Sequence, residues 1–350
     1  MKHLPLLLAF AVATASAQTP TSIEAVEWDP AGRWIVTNGS NMLQTSDGGD
    51  TWTVFGNVGA THGMEVVDGH LFALDNGVLR AVDLASEGQT SSLTLPGTSF
   101  LNGMGSRSGE LIISDFGTGA LHRVDISDPA AMSSSVFVSN LGATPNGVVI
   151  DEANNRALVV TWGVCKVYAV DLETAAVTTV AASTGLSNCD GIDLDGSGRA
   201  YVSSWSPNRI TRFSPDFSTS EAVVTSGLSS PADISYAVEL DTLAVANSGS
   251  DLVTFHGFAS SVGMTEASSR TVISPTWDGA CFDQVRLGTW TARGLDELGR
   301  ELWTESVVVA ASAPCVVLEA LSRHNRTFLI QWTDPVGTQA VVTRPLQLIR

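Results

Sequence analysis

The sequence predicts an all-β chain, a six-bladed β-propeller followed by a small β-sandwich. The first observation behind this is a repeated pattern: a polar loop, a short alternating strand, a Gly-rich turn and a second strand. It is plainest in Asn188-Cys189-Asp190-Gly191-Ile192-Asp193-Leu194-Asp195-Gly196-Ser197-Gly198-Arg199-Ala200-Tyr201-Val202. The second is the spacing. The units begin at residues 24, 62, 102, 146, 190 and 232, so the steps are 38, 40, 44, 44 and 42. A period of roughly 40–45 residues with several short strands marks a propeller, and six units fall within the usual range of roughly four to eight blades. The third is a matching third strand, alternating apolar and polar, at residues 78–84, 120–126 and 166–172.

In chain order, Met1-Lys2-His3, an apolar run over 4–13 and Ala15-Ser16-Ala17 form an expected signal peptide, residues 1–17, cleaved before Gln18. The run is too short to span a bilayer as a helix, and no other stretch is long enough. The expected protein is therefore secreted or at the cell surface, exported through the periplasm, with no membrane span. The propeller is expected over residues 18–266. Blade one carries Thr45-Ser46-Asp47-Gly48-Gly49-Asp50-Thr51-Trp52, which resembles the Asp-box turn of sialidase-type propellers, where the Asp and Gly residues close a hairpin over the Trp. Blades two to six follow, the sixth ending near Met264. From about Ser268 the repeat stops, and Val- and Trp-rich segments over 267–350 are expected to form the sandwich.

The 350 residues are 44% hydrophobic, enough for a sizeable core, and carry a formal net charge of −18. Such a chain has nothing to neutralise phosphates with, which disfavours nucleic acid and favours a cation partner. Four cysteines in an exported chain suggest disulfides. The pairing Cys165–Cys189 and Cys281–Cys315 keeps each bridge inside one expected domain. No paired Cys-x-x-Cys spacing supports a metal site instead.

In a propeller, the loops leading into the innermost strands meet at one mouth of the central channel. Here that ring is Glu24, His62, Asn102, Asn146, Asp190 and Ala232. Carboxylate and amide oxygens suit a hard cation such as Ca²⁺. Two converging carboxylates without a cation would raise each other's pKa. The alternatives stay open: Asn-Gly and Asp-Gly are also turn dipeptides, so Asn102, Asn146 and Asp190 would then only shape loops, and Glu24 and His62 would be ordinary mouth residues. Asp193-Leu194-Asp195-Gly196-Ser197-Gly198 imitates the start of a calcium loop but lacks the distal Glu and reads as a hairpin turn. No Gly-x-Ser-x-Gly elbow supports a serine hydrolase. Trp162 and Trp205 fall at equivalent strand ends, where packing between blades is expected. Asn247 and Asp233 are further candidates for lining the mouth.

Over residues 20–265 the chain resembles the calcium-dependent six-bladed propellers of the gluconolactonase, senescence-marker-protein and paraoxonase type. The resemblance implies a metal held by Glu24 (in Glu-x-x-x-Trp-Asp), Asn102 (Leu-Asn-Gly), Asn146 (Pro-Asn-Gly) and Asp190 (Cys-Asp-Gly-Ile-Asp). It also implies His62, in His-Gly of blade two, as catalytic general base. The Gly-Pro expected after the Glu is replaced by Ala25-Val26. The implied activity is Lewis-acid hydrolysis of a small-molecule lactone or ester; the protein is expected to be a monomer. The alternative is a non-catalytic binding propeller of the NHL-like kind at the cell surface. In the tail, Gly294-Leu295-Asp296-Glu297-Leu298-Gly299-Arg300-Glu301-Leu302 resembles a hairpin of the type IX secretion sorting domain, and Leu318-Glu319-Ala320-Leu321, 327–334 and the basic end 344–350 resemble its last strands. That implies the secretion machinery as a partner of the C-terminal domain.

Overall fold

The computed structural model describes residues 17–258 and, beyond them, 272–275, 279–283, 288–295, 301–309, 315–318, 329–333 and 340–343. Residues 1–16 of the expected signal peptide lie outside these, as do the Asp-x-x-Gly-Arg stretch at 296–300 and the end at 344–350. Almost every element is a β-strand, and no helix of the described residues is long and apolar enough to cross a membrane.

Residues 26–257 form six antiparallel meanders, each a blade whose first strand is innermost. The innermost strands are Val26–Asp29, Met64–Val67, Leu101–Arg107, Pro145–Asp151, Ser187–Leu194 and Pro231–Ala237. Five blades have four strands; blade six has three, closing with Thr242–Asn247 and Leu252–Gly257. The second strand of each blade is covered on both faces. Its sequence is accordingly continuous rather than alternating, as in the fully buried runs Leu71-Phe72-Ala73-Leu74, Leu111-Ile112-Ile113 and Ala157-Leu158-Val159-Val160. The outermost strands Gly88–Thr94 and Ser133–Val138 are mostly polar and exposed.

The core is divided among the six gaps between blades, each filled by its own apolar cluster. The gap between blades six and one joins Ala237, Ala244 and Ala246 to Ile23, Val26, Trp34, Val36, Leu43 and Trp52. The ring closes there without a shared sheet, through this packing and three hydrogen bonds: Asp233 N–H to the Glu24 carbonyl (3.0 Å), Trp28 N–H to Ser235 Oγ (3.1 Å) and Ile23 N–H to Asp251 Oδ1 (3.3 Å). The Asp-box-like turn is a closed hairpin. The Asp47 carboxylate accepts from Thr45 Oγ1 (2.6 Å), the Thr51 amide (3.0 Å) and the Thr51 hydroxyl, and Trp52 is buried. Desolvation raises the Asp47 pKa, but these bonds together outweigh it and pull the value down to about 2.

Cys165 and Cys189 form a disulfide that ties the loop before the third strand of blade four to the inner strand of blade five, one residue before Asp190.

The chain divides into two compact units, Met1–Ser260 and Ser261–Arg350. The second contains two antiparallel sheets. One orders Val272–Pro275, Gly279–Asp283 and Cys315–Val317; its register sets Cys281 opposite Cys315. The other orders Glu301–Val309, Gly288–Leu295, Leu329–Thr333 and Ala340–Thr343. The hairpin expected around 294–302 is present in its flanking strands, where Gly294 pairs with Trp303. Ala292, Trp303, Val307 and Ile330 are buried. A Cβ at Gly294 would sit 2.1 Å from the Trp303 ring, so the indole packs on bare backbone there.

Candidate functional site

The ring residues do not lie in turns. Asn102, Asn146 and Asp190 sit inside the inner strands of blades three, four and five; Glu24 and His62 precede those of blades one and two. In blades three to six the inner strand carries one extra residue over its partner strand at this point. Leu101 pairs with Asp115 but Met104 with Ile113; Pro145 with Thr161 but Val148 with Val159; Cys189 with Ser204 but Ile192 with Val202; Pro231 with Asn247 but Ile234 with Val245. In these four blades the ring residue and its successor therefore occupy a β-bulge, which bends the strand and re-aims side chains.

The glycines that follow His62, Asn102 and Asn146 are demanded by the next blade. A Cβ on Gly63 would lie 2.6 Å from the Asn102 carbonyl oxygen, on Gly103 2.4 Å from that of Asn146, and on Gly147 2.4 Å from that of Asp190. The X-Gly dipeptides are thus contact points between successive inner strands. Hydroxyls from the second strands hold the bulges. Ser114 Oγ accepts from Gly103 N–H (2.9 Å) and donates to the Asn146 carbonyl (2.6 Å). Ser203 Oγ does the same between Gly191 N–H (2.8 Å) and the Ala232 carbonyl (2.6 Å). In blade one, Thr37 Oγ1 accepts from the Glu24 and Ala25 amides.

Asn146 and Asp190 are 1% and 5% exposed and joined by an Asn146 Nδ2–H to Asp190 Oδ1 bond of 3.0 Å. Asn146 Oδ1 is buried without a hydrogen-bond partner. Asn102 is 9% exposed. Burial, then the charges of Glu24 and Asp233, push the Asp190 carboxyl well above the carboxylate range. Desolvation lifts Glu24 to about 7. Asp190 thus lies between the Asn146 amide and the charge of Glu24. The described residues contain no group of three or more His, Cys, Asp or Glu side chains that could hold a metal ion, so any cation here depends on the amide oxygens as well.

Three residues beyond the ring, on the same inner strands, lie Glu27, Glu65 and Asp193, and blade six adds Asp233. These four carboxylates line a cavity of about 280 Å³ with Trp28, Met64, Met104, Ser106, Ser235 and Tyr236. Three of them clasp neighbouring blades: Glu27 Oε1 accepts from Val66 N–H (3.1 Å), Glu65 Oε2 from Ser106 Oγ (2.7 Å) and Asp193 Oδ2 from Tyr236 N–H (2.5 Å). Desolvation is the largest influence on each. It raises Glu27 and Glu65 well above the usual range and Asp193 and Asp233 to about 7. These groups keep some contact with solvent along the axis while protein surrounds them, so they are desolvated without being sealed. Among the described residues, no Lys or Arg forms an ion pair with any of the six axial carboxylates.

His62 lies at the rim. Its Nδ1 is 3.0 Å from Thr61 Oγ1, which also approaches the Leu74 carbonyl (3.4 Å) as a donor. Thr61 Oγ1 also accepts from Asn76 N–H (3.0 Å). Burial lowers the His62 pKa. Its ring meets Phe100 edge-on at 4.8 Å. From there an aromatic chain continues through Phe116 (5.5 Å), Trp162 (6.1 Å) and Trp205 (5.0 Å). The pairing registers put Phe116, Trp162 and Trp205 at the same position of blades three, four and five, each one residue past the partner of the residue that precedes the ring. Trp162 and Trp205 thus do sit at equivalent strand ends, and they pack on each other. The Trp205 indole N–H faces Asp190, slightly opposing the rise of its pKa, but falls short of hydrogen-bonding geometry.

Two other sequence candidates are structural. Asn247 is fully buried and bonded to Ser229 N–H, the Val245 carbonyl and Thr254 Oγ1. Asp195 closes a hairpin turn by accepting from Ser197 N–H, Arg199 N–H and Arg199 Nε. Asp193, two residues earlier, is instead a channel residue. The sequence carried a signal for it: a bulge inserts one residue, so i and i+3 rather than i and i+2 return to the axis.

No protein family matches this sequence, and no curated protein does. Solved structures with the same architecture are known. The chain is similar to regucalcin from Agrobacterium tumefaciens, described as a calcium-binding protein, at 16% identity and a TM-score of 0.54, over 66% of this chain and 85% of that one. It is similar to a protein of unknown function from Bacteroides thetaiotaomicron at 8% identity and a TM-score of 0.56, over 69% and 70%. It also resembles a chain of a nidogen–laminin complex at 11% identity and a TM-score of 0.51, over 64% and 92%. At these identities the likeness establishes the six-bladed propeller fold.

Proposed function

We propose that the channel mouth binds a divalent hard cation, Ca²⁺, and hydrolyses a small lactone or ester there. The observation that carries this is the Asn146 carboxamide. Its Oδ1 is buried without a partner in the same ring as Glu24 and Asp190, two carboxylates with no basic partner. A buried acceptor left unpaired is costly, and a cation among these oxygens would satisfy it. Glu24, Asn102, Asn146 and Asp190 would hold the ion, which would supply Lewis-acid polarisation of the substrate carbonyl. The chain's own contribution is positional and acid–base. Asn146 Nδ2–H orients Asp190, and the bulge hydroxyls of Thr37, Ser114 and Ser203 fix the strands that carry the ring. His62, whose pKa burial lowers, accepts the proton of the attacking water.

The test is calorimetric titration of calcium into wild type and Asp190→Ala, followed by a lactone and ester screen. Saturable binding lost in the variant, with hydrolysis dependent on calcium and on His62, supports the proposal; absence of calcium binding removes it. A second reading, a non-catalytic binding propeller, is favoured by the aromatic rim, which offers a contact surface independent of any ion.

The remaining proposal concerns delivery: a leader over 1–17, a monomeric propeller over 18–266, and a tail over 267–350 recognised by secretion machinery. The intact mass and N-terminal sequence of the exported protein test the first cleavage. Deletion of 267–350 with loss of export tests the last element.

A further inference from the structure

The mouth is lopsided. Over blades three, four and five its rim carries Phe116, Trp162 and Trp205, extended by Phe100, which is 40% exposed. The equivalent positions of blades six, one and two are Ser248, Gly39 and Asn76. One half of the rim is therefore a continuous aromatic wall, and the other half is small and polar. Trp205, at the end of the wall, faces the Asp190 carboxyl, which interacts electrostatically with Glu24, and the chain as a whole carries a formal charge of −18. The unpartnered Asn146 Oδ1 adds another electronegative atom to the same ring. An aromatic face attracts a cation through its quadrupole, the indole of Trp most strongly, and the attraction grows where water is excluded. A neutral planar ligand would use the wall but gain nothing from the carboxylates. An inorganic cation would use the carboxylates but not the wall.

We infer that the wall formed by Phe116, Trp162 and Trp205 binds a small organic cation, a quaternary ammonium or protonated amine, with its charged head turned toward Glu24 and Asp190. The inference deepens the proposed function by naming the charge of the ligand, and it rests on the mouth being a binding site, not on hydrolysis.

The test uses the full exported chain in chelator at about pH 8.5, above the Glu24 pKa of about 7, titrated with choline chloride and followed by tryptophan fluorescence and calorimetry, against sodium chloride at equal ionic strength. The comparison ligand is 3,3-dimethylbutan-1-ol, which has the shape of choline without its charge. Saturable choline binding is expected, with the neutral isostere weaker by about tenfold or more. Trp162→Ala should weaken choline by about tenfold, while Trp162→Phe, which keeps an aromatic face, should stay within a few fold. Thermal unfolding of both variants checks that the fold is kept, and the Phe variant carries the test should the Ala variant unfold. Equal binding of choline and its isostere overturns the inference, leaving an apolar wall. Absence of choline binding to wild type, tighter binding of a neutral sugar such as maltose, or binding indifferent to Trp162→Ala also overturns it. Asn146→Ala separates the two readings. If calcium binding fails in wild type while choline binds and Asn146→Ala leaves it intact, the hydrolase proposal falls and this inference stands.

Discussion

The Ser114 hydroxyl donates a 2.6 Å hydrogen bond to the carbonyl of Asn146 in the next blade while accepting one of 2.9 Å from Gly103 N–H in its own. One oxygen thus holds a bulge and joins two blades. Ser114 is fully buried, so Ser114→Ala leaves an amide and a carbonyl without that partner. The expected cost is about 1–3 kcal/mol in urea unfolding. Calcium affinity should fall as well, because Asn146 is the residue it positions. A variant as stable as wild type would show that the bulge holds itself.

The X-Gly contacts predict a sharper effect. Gly103→Ala puts a methyl 2.4 Å from the Asn146 carbonyl oxygen, and both are backbone-fixed. Destabilisation of about 3 kcal/mol is expected from this overpacking. Gly257→Ala, with no atom within 4 Å of the new Cβ, should stay within about 0.5 kcal/mol. Matched chemical denaturation curves for the two variants decide this.

The axial carboxylates predict how stability follows pH. Glu24, Asp193 and Asp233 hold their protons to about pH 7 in the folded chain, whereas unfolded carboxyls lose theirs near pH 4. Below about pH 4 both states are protonated and these groups cost nothing. Between pH 4 and 7 the unfolded chain ionises first, so the folded state loses stability as pH rises, and the loss is complete above 7. Asp47 and Asp216, both held near 2, act in the opposite sense but only below pH 4. Chelated protein should therefore show a lower urea midpoint at pH 8 than at pH 5.5, and millimolar calcium should narrow the gap. Equal midpoints in chelator would mean that the carboxylates are not desolvated.

The disulfide sits where it influences the ring. It closes a separation of 24 residues, and its Cys189 precedes Asp190. Paired Cys165→Ala and Cys189→Ala substitutions should cost about 3 kcal/mol by the chain-entropy argument. Asp190 would then be held less firmly, so calcium affinity should drop with stability. Calorimetry on the double variant checks the second part.

Much of this was legible in the sequence. The 38–44-residue spacing gave the six blades, because a meander of short strands leaves a regular imprint. The ring of Glu24, His62, Asn102, Asn146 and Asp190 could be aligned because four of the five residues precede a glycine, and the structure brings Asn146 and Asp190 into direct contact. Less legible was why the glycine is there. Asn-Gly looks like a turn locally, and only the carbonyl of the next blade, about 40 residues away, reveals a packing constraint. Asp193 was hidden because the bulge breaks the period-two rule by which strand faces are read. Asp233 was only a side candidate because blade six carries Ala232 at the ring position and shifts its acidic group by one. The aromatic wall needed the register, since Phe116, Trp162 and Trp205 become equivalent only when each inner strand is aligned with its partner.

The seam between blades six and one sets an order of assembly. Every other blade packs on a neighbour adjacent in sequence, so its contacts form over short chain distances. The Glu24 carbonyl and Asp233 amide are 209 residues apart (233 − 24), and no shared strand helps to bring them together. Long-range closure carries the larger entropic cost and comes late in folding. A chain that emerges from its N-terminus stays an open arc, with Ile23, Val26 and Trp34 uncovered, until blade six has arrived. In the finished ring the same joint should exchange its amide hydrogens before any other blade boundary, marking where this circle was closed and where it first opens.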